Sequence, residues 1–507
     1  MRWFVLALTL TTLLALGACS QPDQAEIRMG LASAPLNLDP RHASDATSER
    51  INRLLYQRLV EFDAERRPIP GVADWEQLSP LHYRFILNQR AGTFTRGGAL
   101  QADDVVASYN YVLDPANASP QREAVSLIER MEALDKRRID VFLKRADPLL
   151  PAYMTLSLLP AELIDNRHPF ASQPVGSGPF RLVDGSEPAS LLLERRADTQ
   201  RFRMLEVKNP TVRSLKLLRE EIDLLQTDLS PELLTYLRKK NRGLTLAVPG
   251  SNFTYLGFNL QDSALSDRRV RQAIAHAIDR RAIIEQVMQG AARQAESLFP
   301  PEHWAGHPAL EPYAFDPERA LSLLKSAGYT PMRPLKLVYK TSSDPFRIRL
   351  ATVIQSQLKA VGIQVDLRSY DWGTFFGDIK AGNFQLYSLN WVGLRTPDAF
   401  RYIFASDSLP PVGANRGRYA SEQADRLIAL AEQAPSLEQQ ADYYRQIAEV
   451  LHRDLPYVPL WYEDQYAVQG PRVEGYALAP DGNYDGLGSM KLLQTGVTLE
   501  SRTATAH

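Results

Sequence analysis

The 507-residue sequence predicts a mixed α/β protein, and three observations lead to this fold class. Short runs alternate between apolar and polar residues, which is typical of β-strands. Other runs place apolar residues three and four positions apart, which is typical of helices buried on one side. The two kinds of run follow each other along the chain, as they do in sheets that contain parallel strands.

The strand–helix–strand pattern is clearest between residues 335 and 367. Residues 335–339 alternate in polarity, which predicts a strand. The apolar residues of 345–361 have helical spacing, and Gly362 follows at the position where helices stop. Residues 363–367 alternate again, which completes a predicted parallel crossover.

Helices elsewhere are predicted from caps and apolar spacing. Asp316, Pro317 and Glu318 supply an N-cap, a proline at the first helical position and an acid in the first turn, and Gly328 ends the helix. Apolar spacing predicts further helices at residues 270–278, from Asp279 to Gly290, at 424–431 and at about 444–451. These stripes describe core packing rather than chemistry.

The N-terminus has the pattern of an export signal. Arg2 precedes an apolar run of about 14 residues, which is shorter than the roughly 20 that span a bilayer. The run closes with Leu-Gly-Ala before Cys19, which resembles the lipobox of bacterial lipoproteins. We therefore expect a signal peptide at 1–18, lipidation of Cys19 and a tether at 19–25. The alternative is a plain secretory signal with an incidental cysteine.

Composition narrows the range of partners. The formal net charge is −1, so there is no basic excess to hold nucleic acid. The chain is long enough for two or three domains. Cys19 is the single cysteine, and its lipidation would leave no thiol for a disulfide, a metal or a nucleophile. No second apolar run approaches spanning length.

Motifs of catalysis are absent from the sequence. It contains no G-x-S-x-G elbow, no H-E-x-x-H and no glycine-rich phosphate loop. His303 and His307 are four residues apart, but the prolines and glycine around them disfavour a helix, so they are interpreted as surface loop histidines. Asp103 and Asp104 are adjacent at a helix start, where they favour the helix dipole. We predict no enzyme, no cofactor and no metal site.

A series of segments resembles the extracellular solute-binding proteins of ABC importers, family 5, the peptide- and nickel-binding class. The resemblance covers nearly the whole chain after the signal. The segments are LNLDP (36–40), LLYQRLVEFD (54–63), FTRGGALQADDVVASY (94–109), PVGSGPF (174–180), SDRRVRQAIAHAIDR (266–280), FDPERALSLLKSAGY (315–329) and VGIQVDLRSYDWGTFF (361–376).

The resemblance implies a two-lobed periplasmic-binding-protein-like fold (type II, cluster C-like) with a hinge. The predicted lobe one comprises residues 26–258 and 470–495, with an extra subdomain at about 42–172. The predicted lobe two comprises 259–469, and 496–507 is predicted to be a flexible tail. Ligand would occupy the cleft between the lobes, and closure would bury it.

One departure from the family pattern concerns the ligand. Peptide-binding members carry an aspartate shortly after a Gly-Trp-like step in lobe two, where it meets the peptide's amino terminus. Trp391, Gly393 and Asp398 fit that pattern, but Leu394 or Arg395 occupies the aspartate position. Either Asp398 takes over this role, or the ligand presents no free amino terminus there. Arg395 would suit a carboxylate or another anion, or it points to solvent.

Other residues near the implied cleft have two possible roles each. Lys340 is the one cation available where some members bind the peptide's carboxylate. The aromatic residues line side-chain pockets or pack the core, and they are Phe253, Tyr255, Tyr370, Trp372 and Trp391.

The sequence therefore predicts a lipid-anchored binding component of an ABC importer, facing the periplasm or the cell exterior. It is expected to act as a monomer, to bind di- or oligopeptides, and to deliver them to a permease and its ATPase. One alternative is the same fold binding a non-peptide anionic or amphiphilic solute. A surface lipoprotein with a chaperone or adhesive role is a weaker alternative, and an exported hydrolase would need a nucleophile or metal set that the sequence lacks.

Overall fold

A computed structural model describes residues 26–187, 189–226, 229–241 and 243–493. Helices and strands alternate along these residues. The helices are α1 (Ala46–Leu55), α2 (Ala102–Leu113), α3 (Leu150–Tyr153), α4 (Ala161–Asp165), α5 (Pro210–Leu218), α6 (Pro231–Lys240), α7 (Arg268–Ala277), α8 (Arg280–Ala282), α9 (Pro317–Ser326), α10 (Pro345–Ala360), α11 (Trp372–Ala381), α12 (Ala399–Phe404), α13 (Glu422–Gln433) and α14 (Leu437–Asp454).

The strands form one large mixed sheet and smaller ones. They are β1 (Ile27–Leu31), β2 (Val60–Phe62), β3 (Pro68–Pro70), β4 (Ala73–Ser79), β5 (His82–Leu87), β6 (Ile128–Ala133), β7 (Arg138–Leu143), β8 (Phe180–Asp184), β9 (Ser190–Arg195), β10 (Arg201–Glu206), β11 (Leu224–Gln226), β12 (Thr245–Phe258), β13 (Ala292–Gln294), β14 (Leu335–Ser342), β15 (Ile363–Tyr370), β16 (Leu386–Trp391), β17 (Tyr457–Gln469), β18 (Val473–Glu474) and β19 (Lys491–Leu492).

The large sheet runs through both predicted lobes. Among the described residues its order is β15-β14-β16-β12-β17-β11-β1-β10-β9-β8, and β13 adds to β17. β14 is parallel to β15 and β16, and β1 is parallel to β10 and β11, whereas the remaining pairs are antiparallel. The mixed α/β class predicted from the sequence is confirmed.

The predicted crossover at 335–367 is confirmed in detail. β14 and β15 pair in parallel from Leu335↔Ile363 to Ser342↔Tyr370, and α10 lies between them in the chain. Gly362 has a φ of 84°, a left-handed conformation that favours glycine and lets the chain turn from helix into strand.

Most other predicted helices are also confirmed. Asp316 caps α9, because its Oδ1 accepts a hydrogen bond from the Arg319 backbone N–H at 2.8 Å. The helix predicted from Asp279 to Gly290 begins as predicted, because the Asp279 side chain accepts a hydrogen bond from the Ala282 N–H, but it stops before Gly290. α8 is short and is followed by π-helical turns at Ile283–Val287, so the helix widens and ends early.

β12 and β17 carry the chain between the two predicted lobes. The C-terminal end of β17 pairs with β11, and the C-terminal end of β12 pairs with β16. Between Val248 and Asn252 the register of β12 against β17 shifts, so the ladder is interrupted midway along the two strands. This interruption sits at the level where the lobes meet.

A separate antiparallel sheet, β4-β5-β7-β6, packs with α2 inside the predicted extra subdomain. The PVGSGPF segment ties the chain to the end of α1. A Cβ on Gly176 would lie 2.0 Å from the Leu55 carbonyl oxygen, so only glycine fits this approach.

The C-terminal part of the described chain returns to lobe one. The Arg195 guanidinium donates hydrogen bonds to the carbonyls of Leu487, Gly488 and Met490. Leu487 and Met490 are fully buried in the core that β1 and α1 also contribute to. Lobe one is therefore completed by residues from both ends of the sequence.

The lobes also touch each other directly. Leu149 and Ala152 of the extra subdomain are buried in an apolar cluster whose other buried members, apart from Phe253 and Tyr255 of β12, belong to lobe two. A salt bridge of 2.6 Å joins Glu232 to Arg349, and the Trp304 backbone N–H donates to the Glu65 carbonyl. No helix in the described part of the chain is long and apolar enough to cross a bilayer.

Candidate functional site

The segment between β16 and α12 holds most of the predicted ligand contacts. β16 ends at Trp391 beside β12, and the chain then leaves the sheet. Gly393 has a φ of 73°, which a residue with a Cβ adopts only at a cost. This turn directs the following residues, Leu394 and Arg395, toward lobe one.

A cavity of about 250 Å³ lies between the lobes at this point. Arg395 forms its lobe-two wall, and lobe one provides the remainder. The lining residues are Arg53, Phe62, Asp63, Ala64, Arg66, Arg395, Ala479, Pro480, Asp481 and Asp485. Pockets for small ligands commonly measure about 300–1,000 Å³, so this cavity matches a small solute.

The charged residues of lobe one pair with each other around this interlobe cavity. Arg53 bonds to Glu61 and to Asp485 at 2.6 and 2.7 Å, and Arg66 bonds to Asp481 at 2.9 Å. Asp481 and Asp485 come from the C-terminal return of the chain. The positive charges of Arg53 and Arg66 are thus neutralised before any ligand arrives.

Arg395 is held through its backbone. Its carbonyl accepts a hydrogen bond from His303 Nε2 at 3.2 Å, while His303 Nδ1 accepts one from the Ala305 N–H. Burial lowers the pKa of His303 to about 4, so the ring is neutral and its tautomer is fixed by these two partners. The interpretation of His303 as a surface histidine is wrong, because it is 5% exposed.

The Arg395 side chain is half-buried, and its guanidinium makes no hydrogen bond or salt bridge with a described residue. From the sequence, the Arg395 side chain could point either into the cleft or to open solvent. Its position in the cavity wall corresponds to the cleft.

Asp398 faces an acidic recess, which we define as Asp147, Asp398 and Glu432 with Tyr153 and Tyr444 beside them. Burial raises the pKa of Asp147 to about 6, and the nearby Asp398 and Glu432 add to the rise. Asp398 keeps one solvent-accessible side, but the protein around it removes enough water to raise its pKa as well.

Two arginine side chains of the described residues contact the acidic recess, and both lie at its edges. Arg145 lies 3.8 Å from Asp147, and Arg401 lies 3.5 Å from Glu432. Asp398 has no salt bridge within the described residues. The recess spans the lobes, because Asp147 belongs to the extra subdomain and the other two carboxylates to lobe two.

Lys340 is already paired within lobe two. Its Nζ donates to Asp378 Oδ2 at 2.6 Å and lies 5.4 Å from the centre of the Tyr370 ring. Only 13% of its side chain is exposed. A ligand carboxylate would have to compete with Asp378 for this cation.

Tyr255 and Trp391 surround a second arginine. The Arg416 guanidinium lies 4.6 Å from the centre of the Trp391 ring and donates to the Tyr255 hydroxyl at 3.1 Å. The space beside them is only about 20 Å³, which is room for about one water molecule. These aromatic residues therefore pack around Arg416 and do not line the interlobe cavity.

Three further predicted residues lie outside the interlobe cavity lining. Phe253 has no exposed surface and stacks on Tyr255 in the core. Trp372 is 59% exposed and stacks on Phe376. Leu394 packs against the apolar cluster of lobe two. The aromatic residues were expected either to line side-chain pockets or to pack the core, and Phe253 packs the core.

Sequence reasoning missed the arginines of lobe one. Arg58 occurs in LLYQRLVEFD, a segment used only to identify the fold, and Arg53 directly precedes it. The available signal was a charge inside an apolar run, because Arg58 sits between Tyr56 and Leu59 and is 6% exposed. Asp481 and Asp485 gave no such signal in the sequence, because only the folding of the chain brings them to the cavity.

Within the described residues no group of three or more His, Cys, Asp or Glu side chains could hold a metal ion. Cys19, the predicted lipidation site, lies outside the described residues.

Comparison with known proteins places these features in a family. Residues 67–409 match the family model described as bacterial extracellular solute-binding proteins, family 5. The chain is 27% identical to di/tripeptide-binding protein 2 of Pseudomonas aeruginosa, with 92% of this chain and 95% of that protein covered. It is 28% identical to heme-binding protein A of Haemophilus influenzae, with 90% of each covered.

A solved structure has the same fold. The ABC transporter substrate-binding protein CtaP of Listeria monocytogenes superposes with a TM-score of 0.83 and 22% identity, covering 92% of this chain and 99% of that one. The two-lobed fold predicted from the sequence is confirmed.

Proposed function

Because the chain belongs to family 5 of the bacterial extracellular solute-binding proteins, we propose that it is the peptide-capturing component of an ABC importer. Members of this family are binding proteins, so the chain is not an enzyme, as the sequence predicted. The observation that carries the proposal is the interlobe cavity, which closure of the two lobes would seal around a small solute.

Short peptides suit the charges around this cavity. A free peptide carries an ammonium at one end and a carboxylate at the other. The acidic recess with Asp398 is suited to the ammonium, and Arg395 is suited to the carboxylate. The small volume favours di- and tripeptides over longer ones. Relatives named as di/tripeptide- and dipeptide-binding proteins support this size class.

Native mass spectrometry of the chain purified from its host tests the proposal. Peptides of two or three residues should co-purify, and calorimetry with the same peptides should give saturable binding. If peptides neither co-purify nor bind, the peptide assignment is wrong.

A second candidate is a non-peptide anionic or amphiphilic solute. It is favoured by Arg395 in the cavity wall, where peptide-binding members carry an aspartate, and by a relative named heme-binding protein A. Arg395→Asp should then abolish binding of that solute. Unchanged affinity would remove Arg395 from the site.

The proposed location is the outer face of a membrane, held by lipid on Cys19 near a permease and its ATPase. Cys19→Ala should release the protein from membranes while its affinity for ligand stays the same. Membrane fractionation and calorimetry measure the two effects separately, and a variant that remains in the membrane fraction contradicts the anchor.

A further inference from the structure

Arg58 of lobe one is a buried cation without a contact partner. It is 6% exposed, and its guanidinium makes no hydrogen bond or salt bridge with a described residue. Its Nε has no solvent contact and no acceptor, which is rare for a buried polar atom in a native protein. An uncompensated buried charge is costly, so its retention calls for an explanation.

The terminal nitrogens of Arg58 are the part of its guanidinium that reaches solvent. They are not among the fully buried atoms, so they hold the little solvent contact that the residue has. The charges of Arg53 and Glu61 on the same lobe, and of Arg395 on the other lobe, act on Arg58. Burial is the main cause that lowers the pKa of Arg58 to about 10, and the positive charge of Arg53 adds to it. Arg58 therefore stays protonated at neutral pH.

One carboxylate lies near both unpaired arginines, and it does not contact either. Glu49 accepts a hydrogen bond from Gln121 at 2.9 Å, and within the described chain no salt bridge joins it to Arg58 or Arg395. Burial raises the pKa of Glu49, against the opposing effect of the two arginines. The other arginines of the cavity, Arg53 and Arg66, have carboxylate partners of their own.

We propose that Arg58 and Arg395 together form an anion site that spans the two lobes and binds a carboxylate of the solute. Each guanidinium can offer two parallel donors to a carboxylate, and the shared anion would neutralise one charge from each lobe. Such an anion binds the closed arrangement better than the open one, because only closure brings the two arginines together.

His303 is the positioning residue of this site. It contacts no ligand group, but its hydrogen bond to the Arg395 carbonyl fixes the loop that carries the arginine. The proposal rests on the proposed function for the identity of the solute, but the anion site can be measured without it.

The first test compares di- and trialanine with the same peptides as C-terminal amides, by calorimetry on the full chain. We expect the wild type to bind the free acids about tenfold to a hundredfold more tightly, as expected for charge-assisted hydrogen bonds. Arg58→Gln and Arg395→Gln should each remove this preference, whereas Arg368→Gln, on an exposed arginine of β15, should keep it. Equal binding of acid and amide by the wild type overturns the anion site and leaves peptide binding intact.

The second test needs no peptide. Sulfate, compared with sodium chloride at equal ionic strength, should raise the melting temperature of the wild type and Arg368→Gln more than that of Arg58→Gln or Arg395→Gln. If no peptide binds but this difference appears, the peptide function is wrong and the anion site stands. The same rise in all four proteins overturns it.

A third measurement separates binding from a structural role. Without ligand, Arg58→Met should melt higher than the wild type, because it removes an unpaired buried charge and keeps the apolar stem. A variant that melts lower and still prefers free acids would assign Arg58 to structure alone.

Discussion

The interlobe cavity and the acidic recess are separated by only three residues of sequence, from Arg395 to Asp398, yet they are built in opposite ways. Around the cavity, carboxylates neutralise Arg53 and Arg66 and leave Arg395 and the nearby Arg58 without partners among the described residues. In the recess, burial raises the pKa of Asp147 and Asp398, and neighbouring carboxylates add to the rise. The cleft is therefore polarised, which matches a solute that carries both charges.

The largest expected effect comes from reversing the charge of the cavity. Arg395→Glu should weaken the binding of free dialanine by more than about a hundredfold, because it replaces two donors with a repelling carboxylate. Calorimetry measures the loss, with Arg368→Gln as the control. Affinity within threefold of the wild type would contradict the polarised cleft.

A smaller loss is expected on the acidic side. Asp398→Asn should weaken free dialanine by about tenfold to a hundredfold, since the ammonium loses a charged acceptor. The variant should bind N-acetylated dialanine as the wild type does. An equal loss for both peptides would mean that Asp398 supports the loop rather than contacting the amino terminus.

In the acidic recess, a fall in pH should change ligand affinity and folding stability in opposite directions. Asp147 has a folded pKa of about 6 against an ordinary value of 3.8, so the folded state disfavours its ionised form. The contribution of Asp147 to stability should therefore rise as pH falls from about 7 to 4, by up to about 3 kcal/mol. Over the same range the affinity for free dialanine should fall by about tenfold, as the recess loses charge.

Urea unfolding and calorimetry at pH 7 and pH 5 measure these slopes. Asp147→Asn should flatten the stability slope, while Asp135→Asn, on an exposed carboxylate of the same subdomain, should leave it unchanged. A slope that Asp147→Asn leaves unchanged would contradict the assignment.

The smallest effect is expected at His303. His303→Phe keeps the ring but loses the hydrogen bond to the Arg395 carbonyl, which is worth about 1 kcal/mol. Affinity for free dialanine should drop about fivefold, with the preference over the amide retained. His307→Phe is the control, because His307 bonds to Glu449 and to the Ala309 N–H and not to the Arg395 loop. Loss of the preference itself would show that His303 does more than position the loop.

The fold was predictable to a greater extent than the site. Apolar spacing, Asp316 and Gly362 are local signals, and local signals suffice for α9, α10 and the parallel pair β14–β15. The helix predicted after Asp279 begins where its N-cap places it, but its π-helical turns and its end at Val287 were not predicted.

The site depends on contacts between distant parts of the chain. Arg395 was predicted because it breaks a local pattern. Lys340 matched a pattern too, but the pairing with Asp378 that neutralises it is visible only in three dimensions. Asp485 joins Arg53 across 432 positions, and the state of a charge follows from such partners rather than from its own position.

The bonds from Arg195 to the carbonyls of residues 487–490 also bear on how the chain is made. Lobe one begins at β1 but lacks β17 and the buried Leu487 and Met490 until the last part of the described chain has been synthesised. Lobe two lies wholly between β12 and β17, so its contacts are complete earlier. A nascent chain can therefore finish lobe two first, and lobe one must wait with an unfilled core for its final residues.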